Sequence, residues 1–350
     1  MTAALLERAA PLWPDLLASA RAFAIPMRSR FRGITVREGA LLAGPAGWGE
    51  FSPFAEYGPR ECARWLCCAL EAAVDGWPAS VREAVPVNVT VPALGPEQAH
   101  AIVAASGCGT AKVKVAEPGQ APEEDLARVE AVRDALGPAG KIRVDANGGW
   151  DVDTAQRMLR DLGRLGLEYA EQPCATLAEL AELRRLVDVP LAADESIRRA
   201  EDPLAVRAAG AADIVVIKAQ PLGGVRAGLE IAAACGLPAV VSSAVESSVG
   251  LAAGVALAAA LPSLEHACGL ATMSLLTGDV TAEPLAQRGG LLRARRADPD
   301  PGELARWEID PAPWRARMAA AARVLGLPQT ALPQTALPGA GPAEDAPGAR

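Results

Sequence analysis

Six charged side chains stand at the ends of successive short β-rich runs. They are Lys112 and Lys114 in AKVKVA, Asp145 in KIRVDA, Glu171 in LEYAEQP, Asp194 in PLAADES and Lys218 in DIVVIKA. Residues two apart on a strand share a face. Lys112 and Lys114 therefore project together, with Val113 and Val115 opposite. Arg143 aligns with Asp145, Ala192 with Asp194, and Ile214 and Val216 with Lys218. Three carboxylates gathered in one buried place repel one another, and a buried charge is costly unless paired or metal-bound. A divalent cation resolves the conflict, and an all-oxygen set favours Mg2+ (with Mn2+ as a substitute) over zinc. Asp145, Glu171 and Asp194 are thus the expected metal ligands. A desolvated lysine beside a cation loses affinity for its proton and can act as a base. The chemistry expected is removal of a proton next to a carboxylate, with the cation stabilising the resulting enediolate.

Taken one at a time, these residues have plainer readings. A carboxylate after a strand often caps a helix or meets a salt-bridge partner. Arg143 reads equally as a structural partner inside the sheet. Asn147 in DANGGW either bridges to a ligand or makes the turn. Lys112 either touches a substrate carboxylate or balances the acidic cluster, and Lys114, nearer the strand end, takes the proton-transfer role. Their order at successive strand ends favours the joint, catalytic reading over a scaffold or interaction protein.

The elements that must position these groups recur along the chain. Eight β-rich runs begin near 85, 111, 141, 167, 190, 213, 238 and 264, spaced by about 22 to 30 residues, the size of one βα unit. Eight such units close as a (β/α)8 TIM-type barrel, with chemistry at the C-terminal strand ends. A doubly wound open sheet is the alternative, but it usually carries a phosphate fingerprint, and none is present. Before the barrel, residues 22–57 read as short strands and turns and 60–75 as a helix. Together they form a small α+β domain. The start, MTAALLERAA, reads as a short apolar patch without a signal-peptide pattern. Residues 291–310 read as strand, turn, then strand or short helix. The Pro/Ala/Gly-rich end reads as disordered.

The chain of 350 residues carries net charge -8 with no concentrated basic patch, which argues against nucleic acid as a partner. Its seven cysteines form no CxxC pair, so buried thiols in a reducing cytoplasm are expected rather than disulfides or zinc. The Ala-rich run at 250–262 is short for a bilayer span and reads as a packed helix. No membrane association is expected. The assembly is left as monomer or homo-oligomer.

The ordered set KVKV (112–115), VDANGGW (144–150), EQP (171–173), ADES (193–196), IKAQPLGG (217–224) and SSAVESSVG (242–250) resembles the enolase superfamily. Within its muconate-lactonising-enzyme-like subgroup it is most similar to the o-succinylbenzoate synthases of menaquinone biosynthesis. The resemblance covers roughly 22–320. It implies an enolase-like modified barrel at 86–285 and an α+β capping domain at 1–85. A segment at 286–325 would return to the cap, followed by a tail at 326–350. It also implies a small-molecule carboxylate substrate and syn-dehydration to an aromatic acid. Lys114 would be the base, Lys218 the opposing lysine, and Asp145, Glu171 and Asp194 the ligands. Cap loops near 26–33 and 48–57 would close over substrate, with Met27, Arg28, Arg32 and Phe51 as contact candidates. Ser242 and Ser243 would meet the succinyl end. With only His100 and His266 in the chain, a histidine-based racemase mechanism is poorly supported. The stretch EHACGLAT lacks the DxD pair of dipeptide epimerases. N-succinylamino acid racemases, which share the paired lysines, are the serious alternative.

Overall fold

The computed structural model describes residues 3–199 and 203–329. The expectation of a disordered tail therefore falls, from 330 onward, outside the described residues.

The first domain is an antiparallel sheet of β1 (Arg21–Phe31), β2 (Ile34–Gly44) and β3 (Gly47–Phe51). The helix Pro59–Leu70 lies on it and runs on into one π-helical turn, Glu71–Asp75. Helix and sheet approach closely because glycine allows it. A Cβ on Gly49 would lie 2.1 Å from the Ala69 carbonyl oxygen. The apolar patch at the start is a helix, Ala3–Ala18, despite Pro11 and Pro14. Leu5, Ala9, Trp13, Leu16 and Leu17 recur at helical spacing and bury one face, which compensates for the two missing backbone donors.

The second domain is a parallel sheet curled on itself. β4 (Ala84–Pro86) precedes it, and its strands are β5 (Val89–Val91), β6 (Thr110–Lys114), β7 (Lys141–Asp145), β8 (Leu167–Glu171), β9 (Leu191–Ala193), β10 (Ile214–Ile217) and β11 (Ala239–Val241). The eighth stave is shorter than the run expected at 264–269. Only Cys268 and Gly269 pair, Gly269 with Ser242 on one side and Cys268 with Val87 on the other. These two parallel bridges close the barrel. The first expected run, 85–90, is divided, since β4 pairs antiparallel with β12 (Leu291–Arg293) and only β5 joins the barrel.

Strand alternation sorts the barrel side chains as the spacing predicts. Val113, Ile142, Val144, Val215, Ile217 and Val241 face the surrounding helices in the main core. Tyr169, Ala192, Ile214, Val216 and Val240 fill the barrel interior. The Ala-rich run forms the helix Ser248–Ala260, buried on all sides except at its last residue. Its small side chains let it sit between barrel and cap. Beyond β12, the helix Pro301–Trp307 leads to β13 (Glu308–Ile309), which pairs with β1 of the cap sheet. The helix Ala312–Val324 then packs its buried face into the apolar core of the cap. Among the described residues, no helix is long and apolar enough to cross a membrane.

Candidate active site

Parallel register brings the charged strand ends side by side. Lys112 pairs with Arg143, Lys114 with Asp145, Asp145 with Glu171, and Glu171 with Ala192, two residues before Asp194. Lys218 directly follows β10. All six charged groups are buried.

They form three ammonium–carboxylate groupings. Lys112 Nζ reaches Glu171 at 3.0 and 3.1 Å and Asp145 Oδ2 at 3.3 Å. Lys114 Nζ donates to Asp145 Oδ2 at 2.6 Å and to Asn147 Oδ1 at 2.5 Å. Lys218 Nζ donates to Asp194 Oδ2 at 2.5 Å. Burial pushes the Asp145 carboxyl up, but Lys114 and Lys112 outweigh it and hold it well below the usual range. Asp194 is likewise held low against burial, by Lys218 and Arg198. Glu171 is pushed up to about 7 by burial and by neighbouring Asp145. Burial lowers Lys218, with Asp194 opposing. Lys112 moves the other way, since Glu171 and Asp145 together outweigh its burial.

The three expected ligands do not stand as a preformed triad. Among the described residues, no group of three His, Cys, Asp or Glu side chains is placed to share one metal ion. The carboxylates are instead turned onto the ammonium groups, which neutralise them. Their chemistry nevertheless fits a hard cation, with three fully buried carboxylates on consecutive strand ends and oxygen as the only donor.

The remaining candidates, outer partners and substrate contacts alike, divide. Asn147 is in the left-handed region and bonds Glu195 Oε1 at 3.1 Å as well as Lys114. It thus makes the turn and also holds the lysine. Arg143 is a structural partner deeper in the barrel. It bonds Glu168 at 2.6 Å and the Ala267 carbonyl, with its guanidinium over the Tyr169 ring at 4.7 Å. Ser242 and Ser243 line the cavity, where the Ser243 hydroxyl donates to Glu246 and accepts from Thr272. Arg32 also lines it, 3.8 Å from Glu195 and stacked on Phe54 at 4.8 Å. Arg28 is exposed and lines a different cleft with Met273 and Thr277, so the geometry does not bring it to the charged cluster. Phe51 is buried in the cap core against Trp314. Met27 is buried in a core cluster with Val245 and Leu275.

Several site residues escaped the sequence reading. Phe31 covers Lys114, its ring 5.3 Å from Nζ. Gln172 accepts from the Asp194 and Ser196 backbones at 3.0 and 3.2 Å. The EQP motif was the available signal for it. Among the described residues, the non-glycine positions with positive φ are Arg32, Ala116, Asn147, Gln172 and Val245. Four of them lie in the loops after barrel strands β6, β7, β8 and β11, and the fifth is on the cap hairpin, consistent with the clustering of strained backbone at functional sites. The cavity among these residues measures about 20 Å3, room for about one water. Phe31 and Arg32 are among the residues that line it.

Comparison with known proteins agrees with this architecture. Residues 22–73 match the family described as enolase N-terminal domain-like, and 96–302 that described as enolase C-terminal domain-like. The chain is 70% identical to an o-succinylbenzoate synthase of Thermobifida fusca over 301 residues, 86% of this chain and 95% of that protein. It is 57% identical to an o-succinylbenzoate synthase of Mycolicibacterium smegmatis, over 84% of this chain and 91% of that one. Among solved structures, a muconate lactonizing enzyme from Pseudomonas fluorescens superposes with TM-score 0.73 at 22% identity, covering 83% of this chain and 98% of that one. An N-succinyl Arg/Lys racemase from Bacillus cereus does so with TM-score 0.71 at 22% identity, covering 83% and 97%. At such identities these two speak for the fold alone. The buried lysine–carboxylate cluster and the matches over nearly the whole length of the relatives place the chain in the o-succinylbenzoate synthase family of the enolase superfamily, as a lyase acting on a carboxylate.

Proposed function

We propose that this chain dehydrates 2-succinyl-6-hydroxy-2,4-cyclohexadiene-1-carboxylate to 2-succinylbenzoate, a step of menaquinone biosynthesis. The observation that carries the reading is the convergence of Lys114 and Lys218, from strands separated by three others, on three buried carboxylates. Asp145, Glu171 and Asp194 would hold Mg2+, for which Mn2+ is a substitute. When bound, the cation supplies charge stabilisation as negative charge develops on the substrate carboxylate. Lys114 takes the proton from the ring carbon bearing that carboxylate. It then returns a proton to the departing hydroxyl on the same face, so that water leaves and the ring becomes aromatic. Asn147 and Asp145 fix the Lys114 ammonium for this traffic. Lys218 stays protonated against Asp194 and offers its charge, and a cation–π contact, to the anionic ring. Lys112 balances Glu171 and Asp145 and stands near the carboxylate seat. Ser242, Ser243 and Arg32 form the wall toward the succinyl arm.

The test is a paired assay of purified protein with Mg2+. One arm follows the ultraviolet change on aromatisation, and the other follows optical rotation of an N-succinylamino acid. Turnover in the first arm, abolished by EDTA and restored by Mg2+, is expected. Turnover confined to the second arm would replace dehydration by racemisation. Activity indifferent to EDTA would remove the cation from the reading.

A further inference from the structure

One buried cation at the barrel mouth has no part in the proton traffic. Arg198 ends the single-turn helix Glu195–Arg198 that follows β9, and it is 4% exposed. Its Nε donates to Asp194 Oδ1 at 3.1 Å, while Lys218 takes the other carboxylate oxygen. Its Nη2 bonds Glu195 Oε1, and its Nη1 donates to the Tyr57 hydroxyl at 2.6 Å. Two of these bonds are therefore made within the barrel and one to the cap.

Tyr57 belongs to the loop between β3 and the helix Pro59–Leu70 and is itself buried. Its ring meets Trp65 at 5.9 Å and Phe54 at 6.0 Å. Phe54 is in turn flanked by the guanidinium groups of Arg32 and Arg37, at 4.8 and 4.7 Å. A continuous line of contacts thus runs from the cap hairpin, through Phe54 and Tyr57, to Arg198 and Asp194.

We propose that Arg198 is a positioning residue for Asp194 and that Tyr57 is its anchor in the cap, so that cation affinity in the barrel depends on how the cap is seated. This rests on the reading of Asp194 as a metal ligand. A guanidinium that fixes one carboxylate oxygen restricts rotation and leaves the second oxygen aimed at the cage. Removing such outer partners commonly weakens metal binding by about 10- to 100-fold. Lysine keeps the charge but has no planar fork to make three divergent bonds.

The experiment is a Mn2+ titration, with free ion followed by electron paramagnetic resonance. It uses the full chain and Arg198→Met, Arg198→Lys, Tyr57→Phe, the Tyr57→Phe/Arg198→Met pair and Asp194→Asn. Arg198→Met should weaken Mn2+ binding by about 10-fold or more, with partial recovery in Arg198→Lys. Tyr57→Phe, which keeps the ring, should weaken it a few-fold alone and have no further effect once Arg198 is methionine. Equal effects of Tyr57→Phe in both backgrounds would overturn the relay, as would unchanged affinity in Arg198→Met and Tyr57→Phe. If Arg198→Met fails to fold, Arg198→Lys takes its place in the cycle with Tyr57→Phe, on the same expectations. If the unaltered chain takes up no Mn2+, or Asp194→Asn binds it equally well, the metal reading itself falls, and the relay with it.

Discussion

Lys114 is held by Asp145 and Asn147 while Phe31 covers it, so its ammonium has one direction left open, toward the cavity. Lys114→Ala should lower kcat by at least about 10^2- to 10^4-fold with Mn2+ binding retained. Loss of both would mean that Lys114 builds the site rather than working in it. Lys218→Arg separates the two chemistries. A dehydratase that needs only a cation there should keep measurable turnover, whereas a racemase that needs a second base should lose proton exchange from one enantiomer. At this scale the sequence was informative where partners are neighbours. Lys112 with Lys114, and Arg143 with Asp145, follow from a spacing of two on a strand. Arg198 was not legible, because its cap partner is 141 residues away and it sits in a helix of a single turn. Arg28 and Arg32 lie on one hairpin and looked alike. What separates them is the left-handed backbone at Arg32, which no local pattern announces.

Between elements, the join of cap and barrel is polar as well as apolar. Glu50 leaves β3 buried and accepts from Ser52 at 2.6 Å, from Ser247, and from the Gly250 backbone in the first turn of Ser248–Ala260. Burial pushes its carboxyl up to about 7, against the hydrogen bonds from Ser247 and Ser52. A folded-state value above the unfolded one means that the folded chain binds the extra proton between about 4.5 and 7. Stability contributed by this group therefore falls as pH rises through that window, by roughly 3 kcal/mol in all. Urea unfolding of Glu50→Gln should show a shallower decline between pH 5 and 7 than the unaltered chain. Identical slopes would show that Glu50 does not titrate there. Gly49→Ala, whose new Cβ meets the Ala69 carbonyl, should cost about 1–3 kcal/mol, read from the urea midpoint. An unchanged midpoint would mean that helix and sheet part at little cost. The barrel strands were legible because alternation and spacing agreed over successive units. The helix Ala3–Ala18 was not, since Pro11 and Pro14 argue locally against it and only tertiary burial overrides them. The eighth stave was overread because a run of six residues at the right interval says nothing of how many of them find a partner.

In the molecule as a whole, the helix Ala3–Ala18 and the segment after β12 together complete the first domain. β13 extends the cap sheet beside β1, and Trp314, from the helix after it, meets Phe51 edge-on at 6.0 Å. Trp314→Ala should lower unfolding free energy by about 3–5 kcal/mol. A loss below about 1 kcal/mol would show that the C-terminal helix adds little to the cap. The remaining consequence concerns time rather than stability. A cavity of about 20 Å3 lined by Phe31 and Arg32 is too small to hold the proposed cyclohexadiene acid as it stands. Encounters succeed only in the fraction of time the hairpin is raised, so the observed association rate is the diffusional rate scaled by that fraction. Productive capture is then set by the population of the raised hairpin as well as by collision. A Phe31→Ala chain should raise that fraction and show a higher kcat/KM per productive encounter, while shielding the reacting ring from water less well.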